Sequence, residues 1–212
     1  MNKTKIEWCD YTWNPITGCK RDCFYCYAKK MRHRFYPEVK WSDLMLFDER
    51  WDEPLKVKKP TKIFVGSMSD ICYWRNADIH NLIHIVRCCP QHTFQLLTKD
   101  YSFYDKWVFP ENCWLGITVE QPLTYGNARK VGGFFRHKGV RFISYEPLLF
   151  NPRTWDGIDW IIVGAMTGQL AKMYPVKREW IQNIINQTRN ANIPLFIKDN
   201  VKWHEKIQEF PK

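Results

Sequence analysis

The sequence predicts an α/β fold: a partial (β/α)6–7 barrel of the TIM type, a parallel sheet with outer helices, in a single domain spanning residues 1–212. Three observations predict it. Short apolar runs recur along the chain, each followed by a polar or helix-like stretch. The runs are continuous rather than alternating, as strands buried on both faces are. Polar and charged residues follow them directly, where β/α barrels keep their chemistry.

A first strand is expected within residues 13–18. Residues 23–35 read as a helix that begins inside a cysteine loop, and 37–60 as a polar, Trp-containing excursion with a short helix. Strands follow at 62–66 and 93–98. Between them, 77–89 places Ile79, Leu82, Ile83 and Val86 at helical spacing, and Pro90 ends the run. Further strands are expected at 113–119, 140–144, 159–164 and 193–198. Helices at 123–137 and 177–191 fill the gaps, the second with Trp180, Ile181, Ile184 and Ile185 on one apolar face. Strands joined by helices in tandem make a parallel sheet. No repeat, low-complexity tract or linker marks a domain cut.

A chain of 212 residues buries a real core, and 45% hydrophobic residues exclude disorder. Aromatics reach 16%, with 11 Trp. Core packing accounts for most of them; stacking surfaces for a base or an adenine ring are the sharper reading. The net charge of +10 suits a polyanionic partner such as nucleic acid, or an anionic substrate. No signal segment and no membrane-length apolar run is present, so a cytoplasmic protein without membrane partners is expected. In a reducing compartment, clustered cysteines read as metal ligands rather than disulfides.

Three cysteines stand in Gly18-Cys19-Lys20-Arg21-Asp22-Cys23-Phe24-Tyr25-Cys26-Tyr27, a C-x3-C-x2-C pattern. A cubic iron–sulfur cluster normally takes one thiolate per iron, four in all. Three thiolates on one loop leave an iron open to something other than protein. Zinc is the plainer alternative, with Cys19, Cys23 and Cys26 as ligands and Cys9 or His33 as the fourth. Cys72, Cys88, Cys89 and Cys113 are scattered and read as buried cysteines rather than a second cluster.

The strand ends carry Ser67-Met68-Ser69-Asp70, Thr98-Lys99-Asp100, Thr118-Val119-Glu120, Ser144-Tyr145-Glu146-Pro147, Gly164-Ala165-Met166-Thr167-Gly168 and Lys198-Asp199-Asn200. Helix capping and solvation explain any one of them; their succession is harder to dismiss. Asp70, Lys99, Glu146 and Lys198 are the candidate catalytic side chains. Lys99-Asp100 and Lys198-Asp199 are either surface pairs or grips for a carboxylate or phosphate. Lys29, Lys30, Arg32, His33 and Arg34 form a basic run, read either as a solvated helix face or as a phosphate-contacting edge. Trp203, among Lys198, Lys202, His204 and Lys206, is a candidate base-stacking residue.

The Cys19, Cys23, Tyr25, Cys26 pattern at the end of a first strand resembles the radical S-adenosylmethionine superfamily. The whole chain is also similar to a phage- and prophage-associated family of three-Cys-motif proteins. That likeness rests on Lys5-Ile6-Glu7-Trp8, Thr12-Trp13-Asn14-Pro15-Ile16-Thr17-Gly18-Cys19, Gly66-Ser67-Met68-Ser69-Asp70, Leu97-Thr98-Lys99, Trp114-Leu115-Gly116-Ile117-Thr118-Val119-Glu120 and Ser144-Tyr145-Glu146-Pro147-Leu148. The superfamily implies a [4Fe–4S] cluster on Cys19, Cys23 and Cys26, with S-adenosylmethionine chelated at the open iron. It implies an electron donor such as a flavodoxin or ferredoxin, and hydrogen abstraction from a substrate. It also implies cofactor-binding roles. Gly66, Ser67 and Ser69 would hold the methionine amine, and Tyr25 the adenine. Thr118, Glu120 and Ser144 would meet ribose or the carboxylate's partners, and Gly164 would let the backbone approach the adenosyl group. The host would be a bacterial or phage-infected cell. Two departures stand out. Relatives often carry Gly-Gly-Glu-Ser-Gly where this chain has Gly164-Ala165-Met166-Thr167-Gly168. The superfamily's glycine–glutamate signature after the second strand is replaced by Gly66-Ser67-Met68-Ser69.

Three functions follow. The first is a radical enzyme on a nucleic acid, nucleotide or peptide; a barrel of this length leaves little room for a recognition domain, so a partner protein is expected to present the substrate. The second is a zinc-stabilised nucleic-acid-binding module without catalysis. The third is a β/α-barrel hydrolase using Asp70, Glu120 and Glu146 with a divalent ion, which leaves the cysteine spacing unexplained.

Overall fold

The computed structural model describes residues 1–120, 134, 136–153 and 156–212. The helix expected at 123–137 lies largely outside the described residues. The fold is mixed α/β with a mostly parallel sheet of eight strands, the class expected from the sequence. The chain forms two compact units, 1–98 with 109–114, and 99–108 with 115–212.

In the first unit, β1 (Asn2–Lys3) pairs antiparallel with β2 (Tyr11–Trp13). β2 then pairs parallel with β5 (Lys62–Val65), and β5 with β6 (Thr93–Thr98). The expected first strand at 13–18 is split. Trp13 ends β2, Asn14-Pro15 turns the chain, and β3 (Ile16–Thr17) joins β4 (Met45–Leu46) in a separate antiparallel ribbon. Pro15 has no N–H for a sheet ladder, which is why the strand cannot run on. β1 is a strand the apolar pattern does not mark, being one polar and one charged residue.

Helix α1 (Tyr27–Phe35) starts four residues later than expected, because Cys26 has extended backbone and caps it. α2 (Asn76–Cys88) buries Ile79, Leu82, Ile83, Ile85 and Val86. At its start Asp78 accepts from the backbone and side chain of Arg75, satisfying donors that a helix start leaves open. The expected short helix within 37–60 resolves into β4 and two 3-10 turns.

Tryptophans fill this core. Trp8, Trp13, Trp51 and Trp74 are buried, and Trp13 meets Trp51 edge to face with centroids 5.7 Å apart. The Trp13 indole donates to the Arg50 carbonyl at 2.7 Å, so its one polar atom is satisfied.

In the second unit, residues 115–118 of β7 (Cys113–Thr118), with β8 (Arg141–Tyr145), β9 (Trp160–Val163) and β10 (Leu195–Ile197), pair in sequence order, all parallel. β9 is buried throughout, as its Trp-Ile-Ile-Val run requires. α3 (Arg178–Asn190) buries Ile181, Ile184 and Thr188. The indole of Trp160 donates to the Glu209 carbonyl at 2.8 Å, tying the C-terminal segment to β9.

Candidate active site

The cysteine loop is built by short-range backbone geometry. Gly18 has φ +100°, a conformation an L side chain resists. Its N–H donates to the Met68 carbonyl, and the N–H of Cys19 to the Trp41 carbonyl, both at 3.0 Å. Cys26 N–H closes a turn onto the Cys23 carbonyl, also at 3.0 Å. Two of the three sulfurs accept backbone hydrogen bonds. Arg21 N–H donates to Cys19 Sγ at 3.4 Å, and Lys29 N–H to Cys26 Sγ at 3.3 Å. Cys19 Sγ also takes the backbone N–H of Asp70. Cys19 is buried, whereas Cys23 and Cys26 are partly exposed. Burial pushes the Cys19 thiol up to about 11, even though these N–H groups favour the thiolate.

The loop after β5 lies against the same motif. Gly66 turns the chain with φ +73°. Asn14 then holds the next two residues. Its Oδ1 accepts from Met68 N–H at 2.9 Å, and its Nδ2 lies 3.0 Å from Ser67 Oγ. Tyr27 Oη donates to the Ser67 carbonyl at 2.8 Å, so α1 is pinned to this loop. Ser69 Oγ accepts the Trp74 indole N–H at 2.7 Å. Both serine hydroxyls proposed for the methionine amine therefore already have a protein partner, and each keeps a further lone pair. Asp70 is buried. Its Oδ1 accepts from Thr98 Oγ at 2.6 Å, and Arg21 Nε lies 3.9 Å from its Oδ2. Tyr25 packs edge to face on exposed Phe24.

The second unit gathers five of the predicted residues. Thr118 and Ser144 are register partners on β7 and β8. Ser144 Oγ donates to Glu146 Oε2 at 3.1 Å, and Lys198 Nζ lies 2.5 Å from Glu146 Oε1. Glu146 also covers Gly164. A Cβ at that glycine would sit 2.6 Å from Glu146 Oε1, so the open space at Gly164 accommodates a carboxylate of this chain. The Glu146–Pro147 peptide is cis. Lys99 pairs with Glu120 at 2.9 Å. The lysines therefore bond carboxylates far along the chain rather than their sequence neighbours. Asp100 instead caps the turn at Ser102, and Asp199 lies 4.0 Å from Lys206.

Three side chains given no role in the sequence reading, Asn14, Asn200 and Thr98, and one read there as part of a basic run, Arg32, shape these sites. The Asn200 amide makes two bonds to the backbone of Ala165, at 3.1 and 3.0 Å. Thr98 fixes Asp70, and Arg32 proves to be buried rather than part of a solvated basic face. Only Asn14 had a signal, its position beside Pro15 between strand and cysteine loop. Of the basic run, Lys29 pairs with Asp22 at 2.5 Å. Trp203 lies under the Arg178 guanidinium, 5.1 Å from the ring centre.

The donor set fits an iron–sulfur cluster. Three thiols share one loop, and backbone N–H groups point at two of the sulfurs, as they do where protein tunes a cluster. Among the described residues, no three His, Cys, Asp or Glu side chains close on one point as ligands of a single ion do. No described helix is long and apolar enough to cross a membrane.

The family described as "Protein of unknown function (DUF5131)" matches residues 3–211. No curated protein matches the chain. Among solved structures, the chain is similar to a tyrosine-to-phenylalanine mutant of spore photoproduct lyase, at 14% identity and TM-score 0.59, covering 92% of this chain and 78% of that one. It is also similar to a double mutant of that lyase with bound AdoMet and dinucleoside spore photoproduct, at 13% identity and TM-score 0.56, covering 89% of this chain and 63% of that one. The likeness shows a shared fold.

Proposed function

The chain belongs to the DUF5131 family, and from that premise we propose that it is a radical S-adenosylmethionine enzyme. One observation carries the reading: Cys19, Cys23 and Cys26 stand on one short loop that Cys26 caps onto α1, beside the Gly66 loop, in a fold shared with a protein solved with AdoMet bound. Cys19, Cys23 and Cys26 would hold a [4Fe–4S] cluster. When bound, such a cluster supplies the electron that splits S-adenosylmethionine into methionine and a 5′-deoxyadenosyl radical, which takes hydrogen from a substrate.

The chain's own residues hold and orient. Backbone N–H groups of Arg21, Asp70 and Lys29 stabilise sulfur in its anionic form. Asn14 and Tyr27 fix the loop of residues 66–69, whose remaining lone pairs suit an ammonium group. In the second unit, Glu146 and Lys198 form a matched pair able to receive a polar group of either sign. Tyr25, Thr118, Glu120, Ser144 and Gly164 remain candidate contacts to the cofactor, and Asp70 and Lys99 candidate catalytic groups.

A nucleic acid or nucleotide is the substrate class we favour. The net charge of +10 supports it, and a solved neighbour in fold has a dinucleoside spore photoproduct bound. Salt-dependent retention of DNA or RNA checks it; no retention at low ionic strength counts against it. A flavodoxin or ferredoxin as reductant, and a partner protein presenting the substrate, complete the reading.

The test is anaerobic reconstitution with iron and sulfide, followed by S-adenosylmethionine and a reductant. We expect 5′-deoxyadenosine from the wild type and none from Cys23→Ser. A colourless protein holding one zinc after anaerobic purification would replace this reading with the zinc-stabilised binding module.

A further inference from the structure

Two backbone N–H groups reach one motif sulfur, and one buried carboxylate joins them. Cys19 Sγ accepts the N–H of Arg21 at 3.4 Å and the backbone N–H of Asp70. The first donor lies inside the cysteine loop, the second on the loop after β5. Their side chains face each other, with Arg21 Nε 3.9 Å from Asp70 Oδ2. Asp70 is 7% exposed, and its other oxygen is engaged twice. Oδ1 accepts from Thr98 Oγ at 2.6 Å and from the N–H of Cys72 at 3.3 Å. The shorter of these has the length of a charge-assisted O–H···O bond. Thr98 is the last residue of β6 and 1% exposed, so the strand fixes where its hydroxyl stands. A buried carboxylate engaged at both oxygens is poorly placed to exchange a proton with substrate. It is well placed to hold a loop.

We propose that Thr98 and Asp70 are positioning residues for Cys19. The hydroxyl at the end of β6 locks the Asp70 carboxylate, which sets its own N–H and, through Arg21, a second N–H onto the ligand sulfur. The inference rests on the radical S-adenosylmethionine reading above, with Cys19 as a cluster ligand. Its measurable consequence is the reduction potential. A reduced cluster carries one more negative charge than an oxidised one, and part of that charge falls on the sulfurs. N–H donors stabilise it, so donors held in line raise the potential and slack donors lower it. Thr98 does this without contributing a charge of its own.

The experiment is a redox titration, followed by electron paramagnetic resonance, of reconstituted wild type, Thr98→Val, Thr98→Ser and Ile85→Val. Valine keeps the shape of threonine and removes the hydroxyl, whereas serine keeps the hydroxyl. Thr98→Val should therefore move to more negative potential, and Thr98→Ser should stay near the wild type. Ile85→Val trims a buried apolar side chain of α2 that makes none of these hydrogen bonds, so its potential should not move. A Thr98→Val protein with full iron and an unchanged potential overturns the proposal. So does a serine or Ile85→Val protein that shifts as far as Thr98→Val. Thr98→Ala, which also lacks the hydroxyl, is read in the same way if the valine variant fails to fold. Amide hydrogen exchange of the cluster-free chains gives a second readout. The N–H groups of Arg21 and Asp70 should exchange faster in Thr98→Val, relative to the amides of α2, and unchanged relative rates overturn the proposal. A wild type that takes up no iron removes the functional reading and this inference with it. A wild type that cleaves S-adenosylmethionine with potentials indifferent to residue 98 removes the inference alone.

Discussion

The amide of Lys29 donates to Cys26 Sγ at 3.3 Å, so the third cysteine of the motif is also the N-cap of α1. One sulfur thus serves two purposes that mutation can separate. Cys26→Ser keeps an acceptor for the Lys29 amide and should leave the cluster-free protein near wild-type stability. Cys26→Ala removes the acceptor as well and should lose about 1 kcal/mol. Both should fail to load a full complement of iron. Thermal melts of the cluster-free proteins, set beside iron content after reconstitution, check the separation.

Asn14 governs the loop after β5. Its amide bonds Ser67 Oγ and the N–H of Met68. Asn14→Ala leaves that N–H without its partner and should destabilise by about 1–3 kcal/mol. If the loop of residues 66–69 receives the methionine end of the cofactor, affinity for S-adenosylmethionine should fall in parallel. Asn14→Asp keeps the acceptor for Met68 N–H and should recover most of the stability. Calorimetric titration of the loaded protein with S-adenosylmethionine, beside a denaturant melt, checks both.

The cluster-free protein should weaken in alkali. Burial raises the Cys19 thiol to about 11 from an ordinary value near 9, and burial also pushes the Cys113 thiol up. Between about pH 9 and 11 the unfolded chain therefore loses a proton at Cys19 that the folded chain keeps. The folded state binds more protons across that window, so stability falls as pH rises through it. Cys19→Ser should flatten part of the fall, and the remainder should follow Cys113, Cys89 and Tyr73, which burial also pushes up. At pH 8, Cys19 should also alkylate more slowly than Cys23 or Cys26, which mass spectrometry of a timed reaction would show.

How much of this was legible beforehand depended on how local its cause was. The runs Lys62-Ile63-Phe64-Val65 and Thr93-Phe94-Gln95-Leu96-Leu97-Thr98 announce β5 and β6 because buried strands need continuous apolar side chains. The cysteine motif was legible because its spacing lies within one short loop. The split of the first strand was readable in principle from Pro15, but the ribbon it enters depends on Met45 and Leu46, some thirty residues away. Asn2 and Lys3 form β1 only because β2 presents a free edge, and no pattern in those two residues says so. The pairing of charges was the least legible part. Sequence adjacency set Lys198 beside Asp199, whereas the fold sets it against Glu146. Arg32 looked like one more exposed base in a basic run until the fold buried it.

The Glu146–Lys198 pair permits a test in which stability and function part company. Both side chains are about four-fifths withdrawn from solvent, with relative exposures of 21% and 17%. Removing either one leaves its partner partly buried and unpaired. Glu146→Gln and Lys198→Met should therefore each destabilise by more than an exposed pair would explain. In the double variant neither charge is stranded, so its loss should be smaller than the sum of the singles, with a coupling of about 1–2 kcal/mol. A pair that only braces the ends of β8 and β10 would regain activity together with that stability. A pair that meets cofactor or substrate would not: the double variant should melt near the wild type yet form little 5′-deoxyadenosine. Denaturant melts of all four proteins, run beside product assays on the same preparations, decide between a brace and a binding group.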